Sequence, residues 1–180
     1  MKQNIQNLLT GQAGILRVAS ELLLRGMNAA EPFVDTGIDL IVDGRARVQV
    51  KTAHLAGPRG KYPRSMYWFK LWQSPIITGA TNIRKRGQKS YDGIADFVVF
   101  FGVDTNQFWI VPAQEISQRA TWILGPRNAD SRNDGRVQER ARMCEGRWDL
   151  IEAFVQSPEE MEKSVSNEPA KVPAEVPYSE

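Results

Sequence analysis

Cysteine and histidine are nearly absent from this chain of 180 residues, which holds one of each, Cys144 and His54. A single cysteine excludes an internal disulfide framework and suits a reducing cytoplasm, so we expect a cytoplasmic protein. A single histidine excludes His-rich metal sites and most histidine-based catalytic triads. Any catalytic chemistry would therefore rest on carboxylates, amides, lysines or hydroxyls.

Long apolar runs are also missing. No segment approaches the ~20 consecutive apolar residues that span a bilayer, and the chain shows no basic-then-apolar signal at its start. We therefore expect no membrane partner. With 42% hydrophobic and 24% charged residues, the composition is that of an ordinary globular protein.

Charge is distributed unevenly along the chain. Residues 1–156 carry 21 basic against 15 acidic side chains, a net charge of +6, and residues 157–180 carry six acidic against two basic ones. The basic part is long enough for one domain with a substantial core, and its charge favours an anionic partner mildly. We expect one domain over 1–156 and a disordered, acidic, proline-rich tail over 157–180.

The first half of the chain predicts a helix followed by a hairpin. Apolar residues at helical spacing indicate a helix over "TGQAGILRVASELLLRG", with Thr10 as N-cap and Gly26 as C-cap. The β-rich runs "GIDLIVD" and "RVQVKT" flank Gly44 and predict two paired strands. Residues 54–90 contain scattered glycines and prolines and are expected to be irregular.

The second half predicts two strands and short helices. "ADFVVFFGVDTNQFWIVPA" indicates two strands around a turn near residues 104–106, and a short helix is expected after Pro112. Residues 125–147 are polar and predict a long mobile loop, followed by a short amphipathic helix in "RWDLIEAFV". This order predicts an α/β fold in which one mixed sheet is flanked by helices.

Strand alternation brings three polar residues of the hairpin together. Gln49 and Lys51 share one face of "RVQVKT", and pairing around residues 43–46 places Asp39 near both. A carboxylate and an amide oxygen are ligands suited to Mg²⁺, and a lysine can position water or stabilise a phosphate. The alternative is a hairpin with a polar outer face and a weak cross-strand ion pair.

"GIDLIV" followed by "VQVKT", behind the opening helix, resembles the PD-(D/E)XK nuclease superfamily. The likeness is greatest to the branch with glutamine at the second acidic position, as in Holliday-junction-resolvase-like proteins and some homing endonucleases. It covers residues 10–52 and extends loosely through "DGIADFVVFFGVDTNQFWIVPAQEI". It implies a restriction-endonuclease-like αβββαβ core and a DNA-cleaving site of Asp39, Gln49 and Lys51. The implied cofactor is Mg²⁺, with Mn²⁺ as a substitute.

The opening helix departs from this pattern. Relatives commonly have a metal-binding glutamate where this chain has Ile15, which fits the apolar stripe of its own helix. Glu21 lies well around the helix and is a poor substitute; Asp35 and Asp43 are further candidates. Three hypotheses follow. The first is a metal-dependent endonuclease, impaired or not by Ile15, and the second is an inactive nuclease-fold module that binds DNA or another partner. The third is an α/β protein with an unrelated role, in which the motif occurs by chance.

Basic loops are the candidates for DNA contact. Arg59 and Lys61 follow the second hairpin strand directly, and a second cluster comprises Arg84, Lys85 and Arg86. Such runs can follow a phosphate backbone or form an ordinary solvated surface. Paired cuts in duplex DNA would favour a homodimer.

Four other side chains are candidates for a role at the site or in base stacking. Gln12 could point toward the site in place of the absent acid, and His54 could assist there. The aromatic run "MYWFKLW" could stack on bases, but Trp68 and Trp72 are expected to cover the sheet.

Overall fold

A computed structural model describes residues 2–34, 37–58, 65–71, 91, 93–116, 121–127 and 135–157. Four helices lie in these ranges: α1 (Lys2–Leu24), α2 (Ala113–Ile116), α3 (Gly135–Cys144) and α4 (Asp149–Gln156). The strands are β1 (Ala29–Ala30), β2 (Leu40–Val42), β3 (Ala46–Ala53), β4 (Leu55–Ala56), β5 (Met66–Lys70), β6 (Phe97–Gly102), β7 (Gln107–Pro112) and β8 (Thr121–Leu124). No helix in the described ranges is long and apolar enough to cross a membrane.

The central sheet has five strands in the order β1-β2-β3-β6-β7. It is mixed, because β3 and β6 run parallel whereas the other neighbouring pairs are antiparallel. Helices pack against it, so the predicted fold class, a mixed sheet flanked by helices, is confirmed. The turn between β2 and β3 is also as expected: Asp43 and Gly44 have φ of 50° and 69°, and the Arg45 amide donates to the Val42 carbonyl. Positive φ at both central residues is what a type I′ turn requires, and Asp-Gly favours it.

Helix α1 ends as predicted but begins earlier. Gly26 has a φ of 81°, and its amide bonds to the carbonyl of Leu23 while that of Met27 bonds to Leu22. This is a Schellman motif, with Met27 and Leu22 both buried beside it. The prediction of Thr10 as N-cap is wrong, since the helix begins at Lys2. Residues 3–9 contain no proline or glycine, and their leucines and glutamines favour the helix.

Two cores lie on opposite faces of the central sheet. The α1 face comprises Val18, Leu22, Leu40, Val42, Val48, Val50, Phe97, Val99, Phe101, Ile151 and Val155 among others. The opposite face comprises Tyr67, Phe69, Leu71, Tyr91, Val98, Phe100, Trp109, Val111, Trp122 and Leu124 among others. Alternation along β3 and β6 explains the division, because successive side chains point to opposite faces.

A second, antiparallel sheet of three strands, β4-β5-β8, was not expected. Two of its strands lie in residues 54–90, which the sequence predicted to be irregular. They have two and five residues, too few to give a clear period, and β5 forms because its aromatic residues pack against the opposite face.

The prediction of a loop over residues 125–147 is wrong as well, because α3 occupies residues 135–144. Only Gln138 and Ala141 of this helix are buried, so it has no apolar stripe to reveal it in the sequence. The amphipathic closing helix is confirmed as α4, which buries Ile151 and Val155. The expected short helix after Pro112 is α2.

Candidate functional site

The β2–β3 hairpin places Asp39 directly opposite Gln49. The register pairs Leu40 with Val48, and the Asp39 amide donates to the Val48 carbonyl at 3.0 Å. One oxygen of the Asp39 carboxylate, Oδ2, accepts hydrogen bonds from Gln49 Nε2 and from the Val50 amide, the latter at 2.6 Å. Two donors therefore hold this carboxylate in one orientation, and the predicted approach of Asp39 to Gln49 is observed.

Gln49 has an amide oxygen without a hydrogen-bond partner. The residue is 4% exposed, and its Oε1 accepts no hydrogen bond from the described part of the chain. A buried acceptor left in this state costs about 1–3 kcal/mol. Apolar packing does not explain a polar side chain at this buried position, so Gln49 is a candidate ligand residue.

Lys51 lies on the same face, two residues along β3. Gln49 pairs with Val98 and Lys51 with Phe100 across β3 and β6, and both partners belong to the core on the face opposite α1. The Lys51 ammonium lies 5.8 Å from the centroid of the Tyr91 ring. That is within cation–π range, so the ring and the ammonium attract each other.

Tyr91 is a neighbour of the site that the sequence did not indicate. Its side chain is fully buried, and burial together with the negative charge of Asp39 raises the pKa of Tyr91 to about 12. The phenol therefore stays neutral at ordinary pH and provides an uncharged wall beside Asp39 and Lys51. No local pattern could have identified it, because it lies 40 residues along the chain from Lys51.

A cleft of about 450 Å³ opens beside Lys51. It lies between the start of α1, the end of β3 and strand β5, and its lining comprises Gln6, Asn7, Thr10, Lys51, Thr52, Ala53, His54, Ala56, Trp68, Phe69 and Lys70. These described lining residues include two lysines and no acid. The cleft is therefore electrostatically suited to an anionic ligand.

Gly14 is where α1 comes closest to β3. A Cβ added to Gly14 would lie 2.9 Å from Thr52 Cβ and closer still to its hydroxyl oxygen. Glycine is needed here because any side chain would push the helix off the strand. This contact fixes the start of α1 over the end of β3, and so defines one wall of the cleft.

The other acidic candidates lie elsewhere or outside the described residues. Glu21 forms ion pairs with Arg17 and Arg25, both at 3.2 Å. Asp43 is exposed in the hairpin turn, where its carboxylate accepts from the Asn28 amide. Asp35 lies outside the described ranges. No group of three or more His, Cys, Asp or Glu that could hold a metal occurs in the described part of the chain.

Ile15 and Gln12 do not contribute to the site. Ile15 is half-buried and packs against the α1-face core, as its apolar pattern predicted, so it lies across the sheet from Gln49. Gln12 is exposed and donates to the Glu31 carboxylate at 3.0 Å, which rules out the suggestion that it points toward the site.

His54 and Trp68 both border the cleft. The exposed His54 lies 3.6 Å from the Asp104 carboxylate. Trp68 is half-buried in β5, so it forms part of the cleft wall as well as part of the sheet. Trp72 lies outside the described residues.

The basic residues expected to contact DNA also lie outside the described residues. These are Arg59, Lys61, Arg84, Lys85 and Arg86. Their role stays a prediction.

The structure is similar to that of a bacterial homing endonuclease, I-Ssp6803I. The TM-score is 0.60 at 19% sequence identity, covering 89% of this chain and 97% of that one. The crystal structure of MepB is a weaker match, with a TM-score of 0.45 at 12% identity over 71% of this chain and 97% of that one. No protein-family profile and no curated protein matches the chain. The first similarity shows that the chain has a nuclease-like fold.

Proposed function

We propose that this protein is a metal-dependent DNA endonuclease that hydrolyses phosphodiester bonds at Asp39, Gln49 and Lys51. One observation carries the proposal. A fixed carboxylate and a buried amide with an unused oxygen lie on one sheet face with a lysine, and that lysine borders a cleft without described acids. The similarity of the fold to a homing endonuclease supports DNA as the substrate.

Asp39 and Gln49 would hold the cation. The carboxylate is already oriented by the Val50 amide, and rotation of the Gln49 amide exchanges Nε2 for Oε1 on the side of Asp39. Oxygen donors of this kind suit Mg²⁺, which is commonly held by one or two carboxylates together with substrate phosphates; Mn²⁺ would substitute. When bound, such a cation neutralises phosphate charge and lowers the pKa of water.

Lys51 would act on the reacting phosphate. Its ammonium borders the cleft, where it can donate to an attacking water or to a phosphate oxygen whose negative charge grows in the transition state. The ring of Tyr91 lies against it on the side of the core, which limits the positions that the lysine can adopt. Tyr91 is therefore a positioning residue in this proposal.

The cleft would receive the DNA strand next to the scissile phosphate. Lys70 and His54 can contact backbone phosphates, while Gln6 and Asn7 can donate to phosphate or base oxygens. Arg59 follows the lining residue Ala56 by three positions in the sequence, so it and Lys61 stay candidates for DNA contact. Cleavage of both strands of a duplex would require two copies of the site, which a homodimer supplies.

The test is a cleavage assay with Mg²⁺ or Mn²⁺ over duplex, branched and single-stranded DNA, comparing the wild type with Lys51→Met. Methionine keeps the unbranched stem and removes the charge, so circular dichroism should show an unchanged fold. We expect metal-dependent cutting by the wild type and at least a hundredfold loss in the variant. Equal cutting by both proteins would place the activity elsewhere.

A second candidate is a nuclease-fold protein that binds DNA without cleaving it. The small number of acids favours it, because no group of three or more His, Cys, Asp or Glu that could hold a metal occurs in the described part of the chain. This alternative predicts salt-sensitive DNA binding and no cleavage with either metal.

A further inference from the structure

Helix α1 carries an apolar stripe on the side turned away from the protein. Ile5, Leu9, Leu16 and Leu23 are 55%, 60%, 58% and 54% exposed. At about 100° per residue, these four lie within roughly 40° of one another around the helix axis. Around the helix axis, the four residues lie about opposite to the buried residues Val18 and Leu22. The stripe is therefore separate from the core-facing side of the helix.

The stripe is uncharged. After Lys2, the charged residues of α1 are Arg17 and Glu21. Both lie on another flank of the helix, as does Arg25 just after its end. Arg17 lies 4.9 Å from the ring centroid of Phe108, and the two arginines also pair with Glu21. A surface that binds nucleic acid or an anionic membrane needs lysine or arginine, so an apolar partner fits this one.

The segment after β1 also exposes apolar side chains. Phe33 is fully exposed and Val34 is 63% exposed. They follow Glu31, whose carboxylate accepts a hydrogen bond from Gln12 at the edge of the stripe. Large exposed apolar patches mark interaction sites on globular proteins.

We infer that two copies of this chain pair through α1, with the helices antiparallel and the two-fold axis at Leu16. The spacing supports a second copy rather than another partner, because Leu9 and Leu23 are each seven residues from Leu16. In an antiparallel pair Leu9 then faces Leu23, Leu16 faces itself, and Gln12 faces Ser20. Each contact then occurs twice, as in an isologous interface. Ile5 lies outside the overlap, because its counterpart position 27 follows the end of α1.

The length of the stripe suits a dimer. In the antiparallel pair residues 8–24 of the two helices overlap, over about 24 Å. A stable interface buries ~800 Å² per partner and is thus roughly 30 Å across. The inference deepens the proposed function, because the same contact would supply the second active site for the opposite DNA strand.

Analytical ultracentrifugation of the full chain tests the contact. We expect a wild-type dimer, a monomer for Leu16→Glu, and a dimer for the control Leu24→Glu. Leu24 is 80% exposed but lies about 85° from the stripe, so the same change of charge should leave the dimer intact. A wild-type monomer at all concentrations, or dimers for all three proteins, would overturn the inference.

Cysteine cross-linking tests the antiparallel arrangement, in a Cys144→Ser background. Mild oxidation should join two copies of Leu16→Cys. The single variant Leu9→Cys should not react, because its two sulfurs would lie about 21 Å apart along the helices. The double variant Leu9→Cys/Leu23→Cys should react. Cross-linking of the single Leu9→Cys would indicate parallel helices and contradict the inference.

The two proposals can fail separately. A wild-type dimer with the expected cross-links but no cleavage would refute the nuclease function and leave the interface intact. A cleaving wild-type monomer would do the reverse. If both hold, Leu16→Glu should still nick plasmid DNA but make fewer double-strand breaks than Leu24→Glu.

Discussion

The side-chain amide of Gln49 donates to the carboxylate of Asp39 from the directly opposite position on the β2–β3 hairpin. The contact leaves the Gln49 amide oxygen buried and unused. A pair built for packing or stability alone would use both ends of the amide. Metal binding by Asp39 and Gln49 can therefore be tested through protein stability, without measuring DNA cleavage.

Gln49→Glu should make folding stability depend on the metal. Without metal, the variant loses the hydrogen bond to Asp39 and places a second carboxylate against it, which we expect to cost about 2–4 kcal/mol. Added Mg²⁺ should recover much of that loss, since two carboxylates bind the ion more tightly than one. Thermal denaturation with and without Mg²⁺ measures the difference.

Gln138→Glu is the matched control, since Gln138 is also buried but lies in α3, where its amide nitrogen donates to no acceptor in the described residues. It should be destabilised equally with and without Mg²⁺. An equal response to the metal in both variants would remove Gln49 as a candidate ligand.

Gly14→Ala should destabilise the protein, whereas Gly11→Ala should not. The new methyl group at Gly14 would overlap Thr52, and overpacking of this kind costs about 1–3 kcal/mol. At Gly11 nothing lies within 4 Å of the added carbon, so the alanine should stabilise the helix by about 0.5–1 kcal/mol. Urea denaturation of both variants gives the comparison. Equal stabilities would mean that α1 is not pressed against β3.

Tyr91→Phe should flatten the alkaline end of the stability profile. The pKa of Tyr91 in the folded chain is about 12, above its usual value of 10.0, so the folded chain keeps a proton that the unfolded chain loses. The stabilisation from the raised pKa is fully present below pH 10 and is lost as pH rises to 12, by about 1.4 kcal/mol per pH unit. The variant lacks this contribution. Parallel stability curves for wild type and variant from pH 10 to 12 would contradict the assignment.

Ile15→Glu should lower stability without creating a metal ligand. Ile15 packs against the α1-face core, across the sheet from Gln49 and Lys51. A carboxylate there would be partly buried without a matched partner, at a cost of about 1–3 kcal/mol. Cleavage assays should show no gain over the wild type. A clear gain of metal-dependent cutting would instead show that the helix turns this position toward the site.

Lys70→Gln should weaken DNA binding and make it less sensitive to salt. If Lys70 contacts one phosphate in the cleft, the slope of log affinity against log salt should fall in magnitude by about 0.9. Arg147→Gln is the control, because Arg147 pairs with Asp149 at the start of α4 and does not line the cleft. Fluorescence anisotropy with a labelled duplex across a salt series gives both slopes. An unchanged slope for Lys70→Gln would place the DNA elsewhere.

Local sequence patterns correctly predicted the structural features that depend on residues close together in the sequence. The Asp-Gly turn, strand alternation and the glycine after α1 predicted the hairpin, the end of the helix and the approach of Asp39 to Gln49. Each depends on a few adjacent residues and on backbone preferences that survive in any fold. Strand β5 and helix α3 were not predicted, because tertiary packing supplies their stability. Strand β5 has only five residues, and α3 has only two buried positions, so neither shows a hydrophobic periodicity in the sequence.

The sequence by itself determined which polar side chains share a face of the hairpin, and it identified Ile15 as a core residue. Only the tertiary structure decided that Tyr91 lies against Lys51, that the cleft brings the start of α1 to β5, and that Leu9, Leu16 and Leu23 stay outside the core. The physical reason is sequence distance. Alternation along a strand fixes neighbours two residues apart, whereas residues 40 or more positions apart meet only when helices and sheets pack to exclude water.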